Sequence, residues 1–136
     1  MIGALDISGS ALVAQRTRLD VIAGNIANAF STARDDGEPG PYRRRIVSFE
    51  PQRPDGGAGV RVKDVREDGA PPRLKWDPGH PHALKAGPQA GYVQYPNVDI
   101  TMEYVDALQA TRAYEANVAM MNATRNMLQQ AIQLFA

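Results

Sequence analysis

The chain has 136 residues, enough for one ordinary domain or one small domain with appendages. Fifteen basic residues balance fifteen acidic ones, so no overall field draws it to nucleic acid or to an anionic membrane, whose ligands select a basic excess. There is no cysteine, which excludes disulfide frameworks, thiolate metal sites and cysteine nucleophiles.

The chain divides into three by where proline is allowed. All ten prolines fall between Pro39 and Pro96, with nine of the twelve glycines from Gly37 to Gly91. Proline removes a donor and clashes with the preceding turn, so the proline-free residues 1–36 and 97–136 can be helical while the middle cannot. The three parts are an N-terminal helix over 1–30, a central region over 31–97 and a C-terminal helix over 98–136. The expected architecture is mainly α with a small β region. Two long terminal helices form a coiled-coil-like pair that flanks a central strand-and-loop insertion. No internal repeat or low-complexity tract appears.

In the first segment Leu5, Leu12, Leu19 and Ile26 recur every seven residues, and Ile22 and Ala29 add to a second row that Ser8 and Gln15 interrupt. This heptad-like seam predicts a helix over about residues 3–29. Gly9, Ala11, Ala14, Ala23, Gly24 and Ala27 leave its flanks small, so another helix can approach closely. Asn28 is placed to end the helix, since Asn tolerates the left-handed conformation common there. Asn25 lies inside the pattern, where a polar group can set register across packed helices. The start of the chain has no basic residue followed by an apolar stretch of signal-peptide length, so export would not rely on a conventional cleaved signal. No run approaches the ~20 apolar residues of a membrane-spanning helix.

The middle segment reads as short strands at Arg45–Phe49, Val60–Val65, Arg73–Trp76 and Gly91–Tyr95. They are punctuated by Asp55-Gly56-Gly57, Asp68-Gly69 and Asp77-Pro78-Gly79. Its candidate core is Val47, Phe49, Val60, Val62, Val65, Leu74, Trp76 and Val93, and a core that small supplies about 3–5 kcal/mol at most. Arg43-Arg44-Arg45 is the basic cluster of the chain and reads as a start-of-strand patch for acidic residues of a neighbour, setting specificity more than affinity. His80 and His82 flank Pro81, but zinc needs three or four ligands and the chain has no other His. Asp35-Asp36-Gly37-Glu38 lacks the alternating ligand spacing of a calcium loop.

The last segment is the most regular. Ile100, Tyr104, Ala107, Thr111, Tyr114, Val118, Met121, Arg125, Leu128, Ile132 and Phe135 alternate in steps of four and three, with Met120, Met127 and Leu134 as a flanking row. A helix over 98–135 exceeds the usual globular length and predicts a coiled coil or bundle. The periodicity does not name its partner, so the seam serves either a hairpin within the chain or an interface between chains.

Several stretches carry a family resemblance. Residues 19–29, Leu-Asp-Val-Ile-Ala-Gly-Asn-Ile-Ala-Asn-Ala, resemble the N-terminal signature of flagellar rod, hook and hook-associated proteins. Three further stretches resemble the proximal-rod members of the FlgC type. They are Gly40-Pro41-Tyr42-Arg43-Arg44, then Asp77-Pro78-Gly79-His80-Pro81 followed by Gly91-Tyr92-Val93, then Pro96-Asn97-Val98-Asp99. The last leads into a fourth match over residues 110–118, which holds Arg112, Tyr114, Asn117 and Val118. Two positions depart from the family pattern. His82-Ala83-Leu84-Lys85 stands where a short acidic stretch is usual, and Met102-Glu103-Tyr104 replaces the more usual Glu-Met pair.

The resemblance implies a structural subunit of the rod, located where the rod crosses the periplasm. Its implied partners are copies of itself, other rod proteins and the flagellar type III export apparatus, with no cofactor, small-molecule substrate or nucleic acid. The candidate assembly interface comprises Leu5, Leu12, Leu19, Ile22, Asn25, Ile26 and Asn28 on the first helix, and Tyr42, Arg43 and Asn97 in the middle. On the last helix it comprises Tyr104, Arg112, Tyr114, Asn117, Val118, Met121, Leu128 and Ile132. For the polar members a solvated face is the plainer alternative. No nucleophile elbow or phosphate-binding glycine loop is present, so an enzyme is the weakest reading. A transient adaptor associated with flagellar export is the second reading, and a metal enzyme at the His80–His82 turn the third.

Overall fold

A computed structural model describes residues 2–53 and 58–135. The elements in chain order are α1 (Ile2–Ala27), β1 (Arg45–Pro51), β2 (Val60–Glu67), β3 (Arg73–Trp76), β4 (Tyr92–Tyr95) and α2 (Ile100–Phe135). The expected class, two long terminal helices around a small strand region, is the class observed. The turn expected at Asp55-Gly56-Gly57 lies outside the described residues.

Local chemistry sets the helix limits. Gly24 O accepts the Asn28 backbone N–H at 3.1 Å and Asn28 Nδ2 at 2.9 Å, which satisfies a carbonyl of the last turn and closes α1. At the start of α2, Asp99 Oδ1 accepts from the backbone N–H of Thr101 at 2.9 Å and of Met102 at 3.3 Å. That is N-cap geometry. Pro96, just upstream, keeps the helix from starting sooner.

The two helices run antiparallel. Asn25 bonds to Glu103, and Arg18, seven residues earlier on α1, pairs with Asp106, which is later on α2. α2 is ten residues longer than α1, equivalent to ~15 Å of extra helix.

The strands form two separate antiparallel ribbons, β1–β2 and β3–β4. The first pairs Arg45 with Glu67 and Pro51 with Val60, with a bulge between Ser48 and Phe49. The second pairs Arg73 with Tyr95 and Trp76 with Tyr92. Separate ribbons bury little, and the core expected in the middle region is therefore largely not there. Of its eight candidates Val93 is buried, Val47, Val60 and Val62 are half-buried, and Phe49, Val65, Leu74 and Trp76 are exposed. Among the described residues the β1–β2 ribbon lies against α1 on one side and is uncovered on the other, and the β3–β4 ribbon packs on no other strand or helix. The buried apolar side chains lie instead in the helical pair, at Ala14, Ile22 and Ala110, and at the segments that follow α1 and precede α2, at Ala29, Val93, Pro96 and Val98.

Trp76 folds back over its own ribbon. It meets Tyr92 edge-to-face at 5.1 Å. Gly91, at φ 87°, lies under the indole, and a Cβ there would stand 2.5 Å from Trp76 Cζ3. Glycine is required at that position both for its backbone conformation and for the close approach.

The phase of α2 differs from expectation. Glu103, Ala110 and Thr124 are its buried residues, and Ala107, Ala113, Asn117, Met121, Leu128 and Ala131 continue the same stripe half-buried. Of the expected seam residues Tyr104, Thr111, Tyr114, Val118 and Arg125 are exposed beside this stripe, and Ile132 and Phe135 are exposed where α2 runs on past the shorter α1. The small side chains let the two helix backbones approach closely, so the chain pairs its helices through Ala and Thr and leaves the large side chains outside.

Candidate functional site

The helical pair is held at one end by a polar cluster. Asn25 is 1% exposed, and each end of its amide is used. Its Oδ1 accepts from Tyr42 Oη at 3.0 Å and from the Arg45 backbone N–H at 2.9 Å. Its Nδ2 donates to Arg45 O at 2.9 Å and to Glu103 Oε2 at 3.2 Å. Glu103, also 1% exposed, takes its second partner from Arg44, whose Nε lies 2.5 Å from Oε1. The same guanidinium reaches Asp68 at 3.4 Å and Asp106 at 3.7 Å, and Arg18 approaches Asp106 at 3.8 Å. Burial works against the charge of Arg44, but the hydrogen bond and charge of Glu103, followed by those of Asp68, hold its pKa above the usual value. Burial also pushes the Tyr42 hydroxyl up, keeping it a neutral donor to Asn25.

This cluster ties α1, β1 and α2 to a single register. Sliding one helix past the other by a turn would strand Asn25 and Glu103 without partners in a buried site. It also corrects the reading of Arg43-Arg44-Arg45 as one outward patch. Arg44 points inward to carboxylates of its own chain, Arg45 stands over the Tyr42 ring at 5.8 Å, and Arg43 is exposed.

The outer face of α2 is the opposite in character. Tyr104, Leu108, Met120, Met127 and Ile132 are each more than half exposed, and Leu134 and Phe135 are 86% and 93% exposed. Tyr104, Leu108 and Ile132 fall on one flank of the buried stripe and Met120, Met127 and Leu134 on the other, and apolar surface of this extent is a mark of binding surface, not of a finished monomer.

The candidate interface residues fall into three groups. Ile22 and Asn25 are buried within the subunit, so in this conformation they hold the helices together and do not face a neighbour. Leu5, Leu12, Leu19, Ile26, Asn28, Tyr42, Asn97, Asn117, Met121 and Leu128 are half-buried. Asn28 serves as the end of α1, and Asn117 Nδ2 bonds to Ala113 O at 2.8 Å within its own helix. Arg43, Tyr104, Arg112, Tyr114, Val118 and Ile132 are exposed, and Arg112 makes no ion pair among the described residues.

The other motifs are local structure. His82 Nδ1 lies 2.8 Å from Thr32 Oγ1, in the segment after α1, and the His82 backbone N–H donates to His80 Nδ1 at 3.0 Å within the turn, which accounts for both rings. Among the described residues no three His, Asp or Glu side chains are placed to hold a metal. In the acidic loop Arg34 forks between Asp36 and Glu67, at 2.6 and 2.8 Å. The Arg34 hydrogen bonds hold Asp36 down to about 2.

The sequence reading missed Glu103 and Arg44, the two charges at the centre of the cluster. Their signal was weak. A carboxylate on a helix and an arginine in a basic run both ordinarily read as solvated.

A subunit with a polar-locked inner helical seam and an unpaired apolar outer face belongs to the class of proteins that complete their burial by assembling. Known proteins narrow the class. Residues 5–34 match the family described as flagella basal body rod protein, and residues 89–134 match the C-terminal region of flagellar basal body rod FlgEFG proteins. The chain is 42% identical to the flagellar basal-body rod protein FlgC of Escherichia coli O6:H1, over 98% of this chain and 97% of that one. It is 40% identical to the FlgC of Bacillus subtilis, over 96% and 95%, and 38% identical to that of Borreliella burgdorferi, over 98% and 97%. The chain belongs to the FlgC family of flagellar basal-body rod proteins, and its function is that of a structural rod subunit.

Proposed function

We propose that the subunit enters the proximal rod with its helical pair along the axial tube and the outer face of α2 against neighbouring subunits. The β1–β2 and β3–β4 ribbons project from the pair and set its orientation. Many such seams in parallel transmit torque without sliding. Its partners in this reading are copies of itself and other rod proteins, with the flagellar type III export apparatus delivering it to the periplasmic part of the basal body. It has no catalytic role. The observation that carries the reading is the unpaired apolar face of α2. No helix among the described residues is long and apolar enough to cross a membrane. A transient adaptor is the less favoured reading, because the relatives that match over nearly the full chain are rod proteins.

Charge placed on the outer face tests it. Val118→Asp and Ile132→Asp alter side chains that are exposed in the subunit, so the purified chains are expected to keep the circular dichroism and thermal midpoint of the parent. Burying such a side chain contributes about 1.5–3 kcal/mol per contact, and many repeated copies multiply the loss. The expected result is a folded chain absent from basal bodies and a non-motile cell. Normal rods and motility with both variants would refute the assignment of that face.

A further inference from the structure

Two exposed apolar features lie at opposite ends of the subunit. Near the end where α1 stops and α2 starts, Phe30, Leu74 and Tyr95 line a groove of about 270 Å³, together with Arg73 and Lys75. Phe30 is 68% exposed and Leu74 41%. Arg73 is held in place by its bonds to Pro96 O at 3.0 Å and Ala29 O at 3.4 Å, so a positive charge is fixed at the groove wall. Lys75 makes no ion pair among the described residues.

The far end of α2 has the complementary character. Residues 126–135 contain no charged side chain, Ile132 is two-thirds exposed, and Leu134 and Phe135 stand almost bare. The last turn has no basic residue, so the partial negative charge of the helix C-terminus, about half an elementary charge, is uncompensated within the helix. The helices are antiparallel and α2 is ~54 Å long, so this tip and the groove cannot meet within one subunit.

We propose that the groove formed by Phe30, Leu74 and Tyr95 receives the tip of α2 from a second copy of this chain, with Phe135 or Leu134 in the groove and Arg73 and Lys75 against the helix end. The contact is head-to-tail, using different surfaces on the two partners, and such contacts propagate instead of closing into a dimer. It rests on the rod-assembly reading and specifies one contact within it.

The absence of cysteine makes the test direct. A chain with Leu74→Cys and a differently tagged chain with Leu134→Cys are co-expressed in flagellated cells lacking the parent copy, and isolated basal bodies are mildly oxidised. The expected result is a covalent dimer carrying both tags, at least tenfold above the dimer from either variant alone. Basal bodies that contain both chains without that dimer overturn this contact while leaving rod membership intact. So does a Leu74→Cys chain that cross-links to a different protein. If the variants do not enter basal bodies, the purified chains are mixed and oxidised at rising concentration. Mixed-tag dimer that rises with concentration, and is suppressed by Lys75→Glu, supports the contact. Its absence at the highest concentration overturns it.

Discussion

Replacing Arg44 by Met removes the guanidinium that lies 2.5 Å from a Glu103 carboxylate only 1% exposed. Glu103 would then keep Asn25 Nδ2, at 3.2 Å, as its partner in the cluster. Breaking a buried pair by deleting one member costs ~3–5 kcal/mol, because the remaining charge stays desolvated. The reverse change, Glu103→Gln, leaves a different orphan. The Arg44 side chain is 25% exposed and still has Asp68 and Asp106 within 3.7 Å. A glutamine also retains an oxygen for Asn25, so the cost falls to about 1–2 kcal/mol. The double variant Arg44→Met with Glu103→Leu leaves no buried charge and is expected to cost less than Arg44→Met alone. Urea unfolding of the purified chains, followed by circular dichroism, gives the three values. For a chain of this size Arg44→Met corresponds to a fall in thermal midpoint of roughly 10–20 °C. An Arg44→Met penalty smaller than that of Glu103→Gln, or a double variant worse than Arg44→Met, would refute the view of this cluster as a buried, mutually dependent register lock.

Three further outcomes follow from other parts of the fold. Gly91→Ala forces a side chain into positive φ and against the Trp76 ring, so a loss of ~1–3 kcal/mol is expected, together with loss of the near-ultraviolet dichroism of the Trp76–Tyr92 pair; an unchanged spectrum contradicts it. Asp99→Ala removes the acceptor for two backbone N–H groups at the start of α2 and is expected to cost about 1 kcal/mol in the same urea assay, with Asp99→Ser largely neutral. Asp36 is expected to titrate near pH 2 by carbon-detected nuclear magnetic resonance, and Arg34→Ala to return it toward the ordinary 3.8. Because its folded pKa is lowered, the Asp36 contribution is present above pH 3.8 and is lost as pH falls through about 2. A midpoint that ignores Arg34→Ala contradicts the pairing.

The two helices were legible in the sequence because proline is confined to the middle, and the ends agree to within a few residues because Asn28 and Asp99 are chemically suited to them. The strands were legible from β-formers set between turn residues. What was not legible was the phase of α2. The stripe that packs on α1 and the stripe of large apolar residues share Ala107, Met121 and Leu128, and both step by three and four. Periodicity counted both, and residue size favoured the outer one. A step of one residue turns a helix by ~100°, which is the difference between the inside and the outside of the subunit. Asn25 was recognisable because it sits in mid-pattern. Glu103 was not, although it lies in line with Ala107 and Ala110 on the inner stripe, where a solvated carboxylate is out of place. The core expected in the ribbons failed because α1 covers only one side of β1–β2 and no described element covers β3–β4, which no strand pattern reveals.

The central claim is that this chain is a stoichiometric part of the rod. Quantitative mass spectrometry of detergent-extracted basal bodies, counting this chain against the other rod components, tests it most directly. A small fixed number of copies per particle is the expected result. Intact particles that lack the chain would contradict the account.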